Sequence, residues 1–182
     1  VLTYAKGRSE ITQKRAANAG VRLVPSLRNL LGEADLVVSL VVPSAAKRVA
    51  AGVARALTKL GKRDLFYLDA NAISPMTAGA IQRVLSPSQA VFIDGCVIGS
   101  AARLAQGTVI YLCGPQAERL EELRQYGFSI RILGPEIGQA SAFKIVYAGL
   151  TKGLQGLFVE LLIGARKFGL LSEILRQYDE SF

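Results

Sequence analysis

Lys144 is the first candidate for proton chemistry in this chain. It follows a run of small residues, GQASAF from Gly138 to Phe143, and leads into a long apolar helical stretch. The chain has no histidine, so the commonest general acid–base is absent and another side chain must take that role. A lysine in a crowded, partly dry first helical turn gives up its proton more readily than a solvated one. That suits it to exchange a proton with an alkoxide or carbonyl oxygen. The plain alternative is a lysine whose stem lies along the helix and whose ammonium reaches water.

Other residues could hold a ligand. Lys6, Arg8 and Ser9 follow a short β-rich run that ends in Ala5. A dinucleotide-binding strand that prefers NAD usually ends near an acid for the ribose 2′-hydroxyl. A basic pair with a hydroxyl suits a 2′-phosphate instead, so NADP is expected and NAD is the lesser choice. A solvated turn with Ser9 as helix N-cap explains the same residues. Val42 and Pro43 end an apolar run, with Ser44 able to cap a helix from Ala45. Such a loop lies at the carboxyl edge of a doubly wound sheet, beside the cofactor. Asn71, in DANAISP from Asp69 to Pro75, could donate to cofactor or substrate, or simply serve a turn. Gly95, Gly99 and Ser100 could turn backbone N–H groups outward into an anion nest for a small carboxylate, or form a flexible connector.

These residues need elements to position them. Strands are expected at Val1–Ala5, Val21–Val24, Leu36–Val42, Leu65–Asp69, Val91–Asp94, Thr108–Cys113 and Phe128–Leu133. Helices are expected at Ser9–Ala19, Leu27–Leu31, Ala45–Leu60, Pro75–Leu85, Pro115–Tyr126 and Gly138–Phe168. Continuous apolar runs such as LVVSLVV, Leu36 to Val42, are typical of parallel strands covered on both faces. The alternation predicts an α/β fold: a doubly wound, Rossmann-type, mostly parallel sheet followed by a long interdomain helix. Residues 1–134 form the expected NADP-binding domain and 135–182 the start of a helical one. No first strand or G-x-G-x-x-G turn precedes Val1, so the strands at Val1 and Leu36 are expected to flank a gap in the sheet, with either a segment missing before Val1 or an unusual sheet that closes another way.

Charge and composition narrow the partners. A formal charge of +8 favours anionic ligands. The basic residues form no long run and do not interleave with aromatics, which argues against nucleic acid. Two cysteines, Cys96 and Cys113, lack metal-site spacing and read as reduced buried thiols in a cytoplasmic protein, with no metal. Ile145 to Ala165 is apolar but interrupted by Lys152, Gln155 and Glu160, so a buried helix is expected rather than a membrane span. Phe143, Tyr147, Leu150, Leu154, Leu157, Leu161, Ala165 and Phe168 follow helical spacing. Gly149, Gly153 and Gly156 suggest close packing against a helix of the same subunit or of a second copy.

Taken in order, these motifs resemble the β-hydroxyacid dehydrogenase family, which includes 3-hydroxyisobutyrate and 6-phosphogluconate dehydrogenases. DANAISP at Asp69 to Pro75 is similar to the family's D-x-S-T-I-S-P. DGCVIGS at Asp94 to Ser100, with AQGT at Ala105 to Thr108, is similar to D-A-P-V-S-G-G and A-x-x-G-T-L. GQASAFK at Gly138 to Lys144 is similar to G-x-G-x-x-x-K. The resemblance implies that Lys144 is catalytic and that Val97, Ile98, Gly99 and Ser100 bind a small, carboxylate-bearing substrate. It also implies hydride transfer to or from NADP and a homodimer formed through the helical domain. Ala148 stands where the family usually has a substrate-holding asparagine, and Tyr147 where the phosphogluconate enzymes have histidine. Tyr147 is three residues past Lys144, so its hydroxyl is the expected substitute, although its spacing fits core equally well. A non-catalytic nucleotide-binding or scaffold protein derived from the family is the alternative.

Overall fold

A computed structural model describes residues 1–103 and 106–181. Seven strands alternate with helices: β1 (Leu2–Tyr4), α1 (Glu10–Asn18), β2 (Arg22–Val24), α2 (Leu27–Glu33), β3 (Leu36–Ser39), α3 (Pro43–Leu60), β4 (Phe66–Asp69), α4 (Pro75–Leu85), β5 (Val91–Ile98), β6 (Val109–Cys113) and β7 (Ser129–Gly134). Three helices follow: α5 (Gln139–Ala148), α6 (Leu154–Lys167) and α7 (Leu171–Ser181). The main sheet runs β3-β4-β5-β6-β7, and β1 pairs only with β2 in a separate parallel sheet. The β1 and β3 strands do not pair with one another, which is the gap expected between them. Val38 and Leu40 at the end of β3 stay exposed.

Both faces of the main sheet are covered. On one side Leu31, Val53, Leu57 and Ile81 from α2, α3 and α4 bury Tyr67 and Phe92. On the other, Ala117 and Leu120 cover Leu68, Ile93, Leu112 and Ile130. Leu57, Ile81, Ile93 and Leu112 are fully buried, each stabilising the fold by about 1.5–3 kcal/mol.

The structure corrects several sequence boundaries. The β3 strand stops at Ser39 because the backbone N–H of Val41 leaves the ladder and donates to Asn71 Oδ1 at 2.6 Å. Helix α3 therefore starts at Pro43, with Val42 as N-cap; Ser44 lies inside the first turn and makes no capping bond. Ser9 and Ser74 do cap α1 and α4. The segment Ala117–Tyr126 is a 3-10 helix, not an α-helix. Most consequential, β5 does not end at Asp94. Antiparallel pairing with β6 carries it to Ile98. Glycine at 95 reads as a break, yet the ladder requires it: a Cβ there would come within 2.6 Å of Leu68 Cδ1.

The chain divides into two compact units, Val1–Lys144 and Ile145–Phe182. The division falls inside α5 rather than at residue 134. The reason is local: Ala140 is buried with Cys96 and Cys113, and Phe143 stacks on Tyr111 at 4.3 Å between ring centroids. The first part of α5 thus belongs to the sheet.

The second unit departs from the buried helix expected there. A π-helical turn at Gly149–Gly153 precedes α6, and only Ala165 of α6 is buried. Leu150, Leu154, Leu157, Leu161 and Phe168 are exposed, and nothing approaches a Cβ built on Gly149, Gly153 or Gly156 among the described residues. Within this unit Phe158 of α6 meets Tyr178 of α7 at 5.7 Å. By length and composition the helix Gln139–Lys167 is long and apolar enough to cross a membrane.

Candidate active site

Lys144 is half-buried, and its ammonium donates to the Val97 carbonyl at 3.1 Å. With Gln139 as the first residue of α5, Lys144 sits in the second turn rather than the first. The macrodipole, which fades within one turn, therefore bears little on it. Val97 supplies a backbone acceptor from the extended part of β5 that sequence reading had assigned to a loop.

That extension also revises the anion nest. The backbones of Gly95 through Ile98 are committed to the ladder with β6. Only Gly99 and Ser100 remain beyond it, and both are exposed. Gly99 has φ +129°, and Thr108 closes over it. The fully buried Thr108 hydroxyl donates to the Ser100 carbonyl at 2.7 Å. The GT pair at Gly107 and Thr108 thus holds the end of β5 in shape. Ala105 of the same motif lies outside the described residues.

Asn71 is nearly buried and its side chain works as a strap. Nδ2 donates to Ser39 Oγ at 3.0 Å while Oδ1 accepts from Val41. Its own N–H donates to Asp69 Oδ1. This ties the carboxyl ends of β3 and β4 together and sets the course of the Val42–Pro43 turn. Ser39, Asp69 and Asp94 stand in register across three adjacent strands, all buried. Asp69 Oδ2 has no hydrogen-bond partner among the described residues. Burial raises its pKa, bonding from Asn71 partly offsets this, and the neighbouring Asp94 raises it further.

The sign of the linkage follows. Folded Asp69 holds its proton more tightly than the unfolded chain does, so its cost is fully present well above its folded pKa. Stability should therefore rise as pH falls from neutral through that pKa. Replacing Asp69 with asparagine should remove this slope. Urea midpoints taken stepwise downward from pH 7 should show Asp69→Asn more stable than the native protein at pH 7, with that advantage shrinking as pH falls through the folded pKa toward that of an unfolded aspartate.

Cys96 and Cys113 are free and buried, as expected. Burial pushes their thiols up to about 11 and about 12. Neither should react with a disulfide reagent at pH 8 until the protein is denatured, when both should react.

Ser9 caps α1 by accepting from Thr12. Lys6 and Arg8 are exposed, and no acidic side chain pairs with either among the described residues. No hydrogen bond links them to β5 or α5 among the described residues. Val42 is exposed at the start of α3, whose first turn has no side-chain acceptor. Ile98 is half-buried in β5. Tyr147 lies in the second unit and is 41% exposed. Asp94 and Ser141 had been given no role. A signal for them existed: the first turn of α5 contains no acid of its own, so its free N–H groups need an acceptor from elsewhere.

The NAD binding domain of 6-phosphogluconate dehydrogenase matches residues 2–126. An uncharacterized 28.5 kDa protein of Methanothermus fervidus is 32% identical over all of this chain and 68% of its own length. Among solved structures, a conserved protein of unknown function, described as structurally similar to 3-hydroxyacid dehydrogenases, shares 30% identity. Its TM-score is 0.84, with 99% of this chain and 66% of that chain covered. The 3-hydroxyisobutyrate dehydrogenase of Mycobacterium tuberculosis, solved with L-serine, shares the fold with TM-score 0.74 at 20% identity, covering 89% of this chain and 56% of its own. This chain thus spans about two thirds of the first two relatives and little over half of the third. On these matches the chain belongs to the β-hydroxyacid dehydrogenase family and contains an NAD(P)-binding domain of the 6-phosphogluconate dehydrogenase type.

Proposed function

We propose that the complete protein is an NADP-dependent oxidoreductase acting on a small β-hydroxy acid or related carbonyl compound, with Lys144 as its acid–base. The observation that carries this reading is the half-buried Lys144 ammonium, held on the Val97 carbonyl. A carbonyl accepts from an ammonium or an amine alike, so it orients Lys144 without fixing its protonation state. Lys144 then takes the proton of the substrate hydroxyl during oxidation and returns it to the carbonyl oxygen during reduction. Bound NADP supplies the hydride chemistry. Gly99 and Ser100, at the exposed end of β5, are the proposed seat for the substrate carboxylate.

The cofactor residues fit the assignment in charge. Lys6 and Arg8 are exposed, positive and free of acidic partners among the described residues, as a 2′-phosphate requires. Val42 and Pro43 open the uncapped start of α3 and share the proposed cofactor role, and Asn71 holds that turn in place. Fluorescence titration of the complete protein should give NADPH binding about 10- to 100-fold tighter than NADH, the value of one charge-assisted contact. Replacing both Lys6 and Arg8 with alanine should abolish that difference. Equal affinity for the two cofactors in the native protein would overturn the NADP assignment.

A further inference from the structure

Asp94 is wholly buried in β5, yet its carboxylate is saturated by donors from distant parts of the chain. Oδ2 accepts from the backbone N–H groups of Gly138 at 3.1 Å and Ser141 at 3.0 Å. The Cys113 thiol donates to the same oxygen at 3.4 Å. Oδ1 accepts from the Ser141 hydroxyl at 2.7 Å. Gly138 immediately precedes α5 and Ser141 lies in its first turn, where backbone N–H groups have no partner inside the helix. An anion at this end is also favoured by the helix dipole. Asp94 thus caps α5 from another element.

The same strand grips the same helix a second time. Val97 lies three residues after Asp94 and accepts from Lys144, which lies three residues after Ser141 on the same side of α5. Gly138 has φ +102°, and a Cβ there would stand 3.1 Å from Pro75 Cβ, so the capped end of α5 also packs closely on the start of α4.

We propose that Asp94 is a positioning residue for Lys144: by fixing the first turn of α5 on β5, it sets where the lysine ammonium sits. The proposal rests on the acid–base role of Lys144 for its kinetic consequence and on geometry alone for the positioning. Asparagine at 94 keeps one acceptor but turns an amide NH2 toward N–H donors, so the first turn of α5 must shift. A displacement near 1 Å at a reacting group costs on the order of 100-fold in rate. The titratable groups facing this junction are Asp69 on β4, Cys96 on β5, Cys113 on β6 and Lys144 itself.

The test uses the complete protein with two readouts. The first is kcat against pH. Asp94→Asn should lower kcat on the order of 100-fold, leave the NADPH dissociation constant unchanged, and displace the limb of the profile that Lys144→Ala removes. The second readout needs no turnover: lysines are methylated with a 13C label, and the Lys144 signal, identified by its loss in Lys144→Arg, is titrated by NMR. Asp94→Asn should move its midpoint. Ser141→Ala, which removes only the hydroxyl donor, should move it less and in the same direction, and decides the matter should Asp94→Asn fail to fold. An unmoved Lys144 titration and pH limb in these variants would overturn the proposal, whatever the fall in kcat. A Lys144 signal moved by Ser141→Ala, which leaves the Asp94 charge in place, in a protein that turns over no hydroxy acid would uphold the positioning role and reject the hydride-transfer reading instead.

Discussion

Lys144→Ala in the complete protein is expected to reduce turnover by about 10²–10⁴-fold, the usual contribution of a positioned general acid–base. NADPH affinity should be unchanged, because the proposed cofactor residues Lys6 and Arg8 lie far from Lys144 in the sequence, between β1 and α1. The lysine donates to Val97 from a half-buried site, so its removal leaves one backbone carbonyl short of a donor. Val97 is itself only half-buried, so the stability cost should stay near 1 kcal/mol. Activity and stability should therefore separate. Lys144→Arg should not restore turnover: a guanidinium keeps the charge and the hydrogen bond but does not release a proton in the working pH range. The measurement is steady-state kinetics of the three proteins with NADP and a panel of small β-hydroxy acids, alongside urea unfolding. Wild-type turnover in Lys144→Ala would remove the lysine from the chemistry and favour a non-catalytic nucleotide-binding protein.

Much of this was legible because parallel strands covered on both faces leave a strong trace. The apolar runs of β3, β4 and β6 read as strands of a covered sheet, and they are strands, although Val38 of β3 is exposed. The helix starts with serine caps at Ser9 and Ser74 were equally clear. Failures came where tertiary partners override local chemistry. Gly95 looks like a break because glycine weakens a strand, yet β6 needs a residue without a side chain opposite Leu68. Val41 and Val42 look like strand, yet Asn71 takes the Val41 N–H out of the ladder. Lys144 was found through its motif, but its partner is a backbone carbonyl, and backbone carbonyls leave no mark on a sequence. The apolar stripe of α6 was readable as a stripe; what it packs against is not written in its spacing.

The other large effect expected is on stability, at Gly99. Gly99→Ala should destabilise the Val1–Lys144 unit by about 2–6 kcal/mol, the sum of a strained backbone and an overpacked contact. Its φ of +129° is rarely open to residues with a side chain, and a Cβ there would lie 2.4 Å from Thr108 Oγ1 and 2.7 Å from Thr108 Cα. The second distance matters more than the first. A hydroxyl could rotate away, but Thr108 adjoins the strand β6 and its buried side chain is bonded to the Ser100 carbonyl, so the backbone cannot yield without breaking the turn. Gly107→Ala separates the two causes. Its φ is +124°, but no atom of the described residues lies within 4 Å of a Cβ built there, so it should cost only the strain, about 1–3 kcal/mol. Urea unfolding of the complete protein and both variants should rank native above Gly107→Ala above Gly99→Ala. The function at stake is the end of β5: with Thr108 pushed off Gly99, Ser100 loses its fixed carbonyl and the proposed carboxylate seat loses its shape. Gly99→Ala should then raise KM for the hydroxy acid in whatever fraction stays folded, whereas Gly107→Ala should leave KM unchanged. Equal stability of the two variants would mean that Thr108 is free to move and does not shape the site.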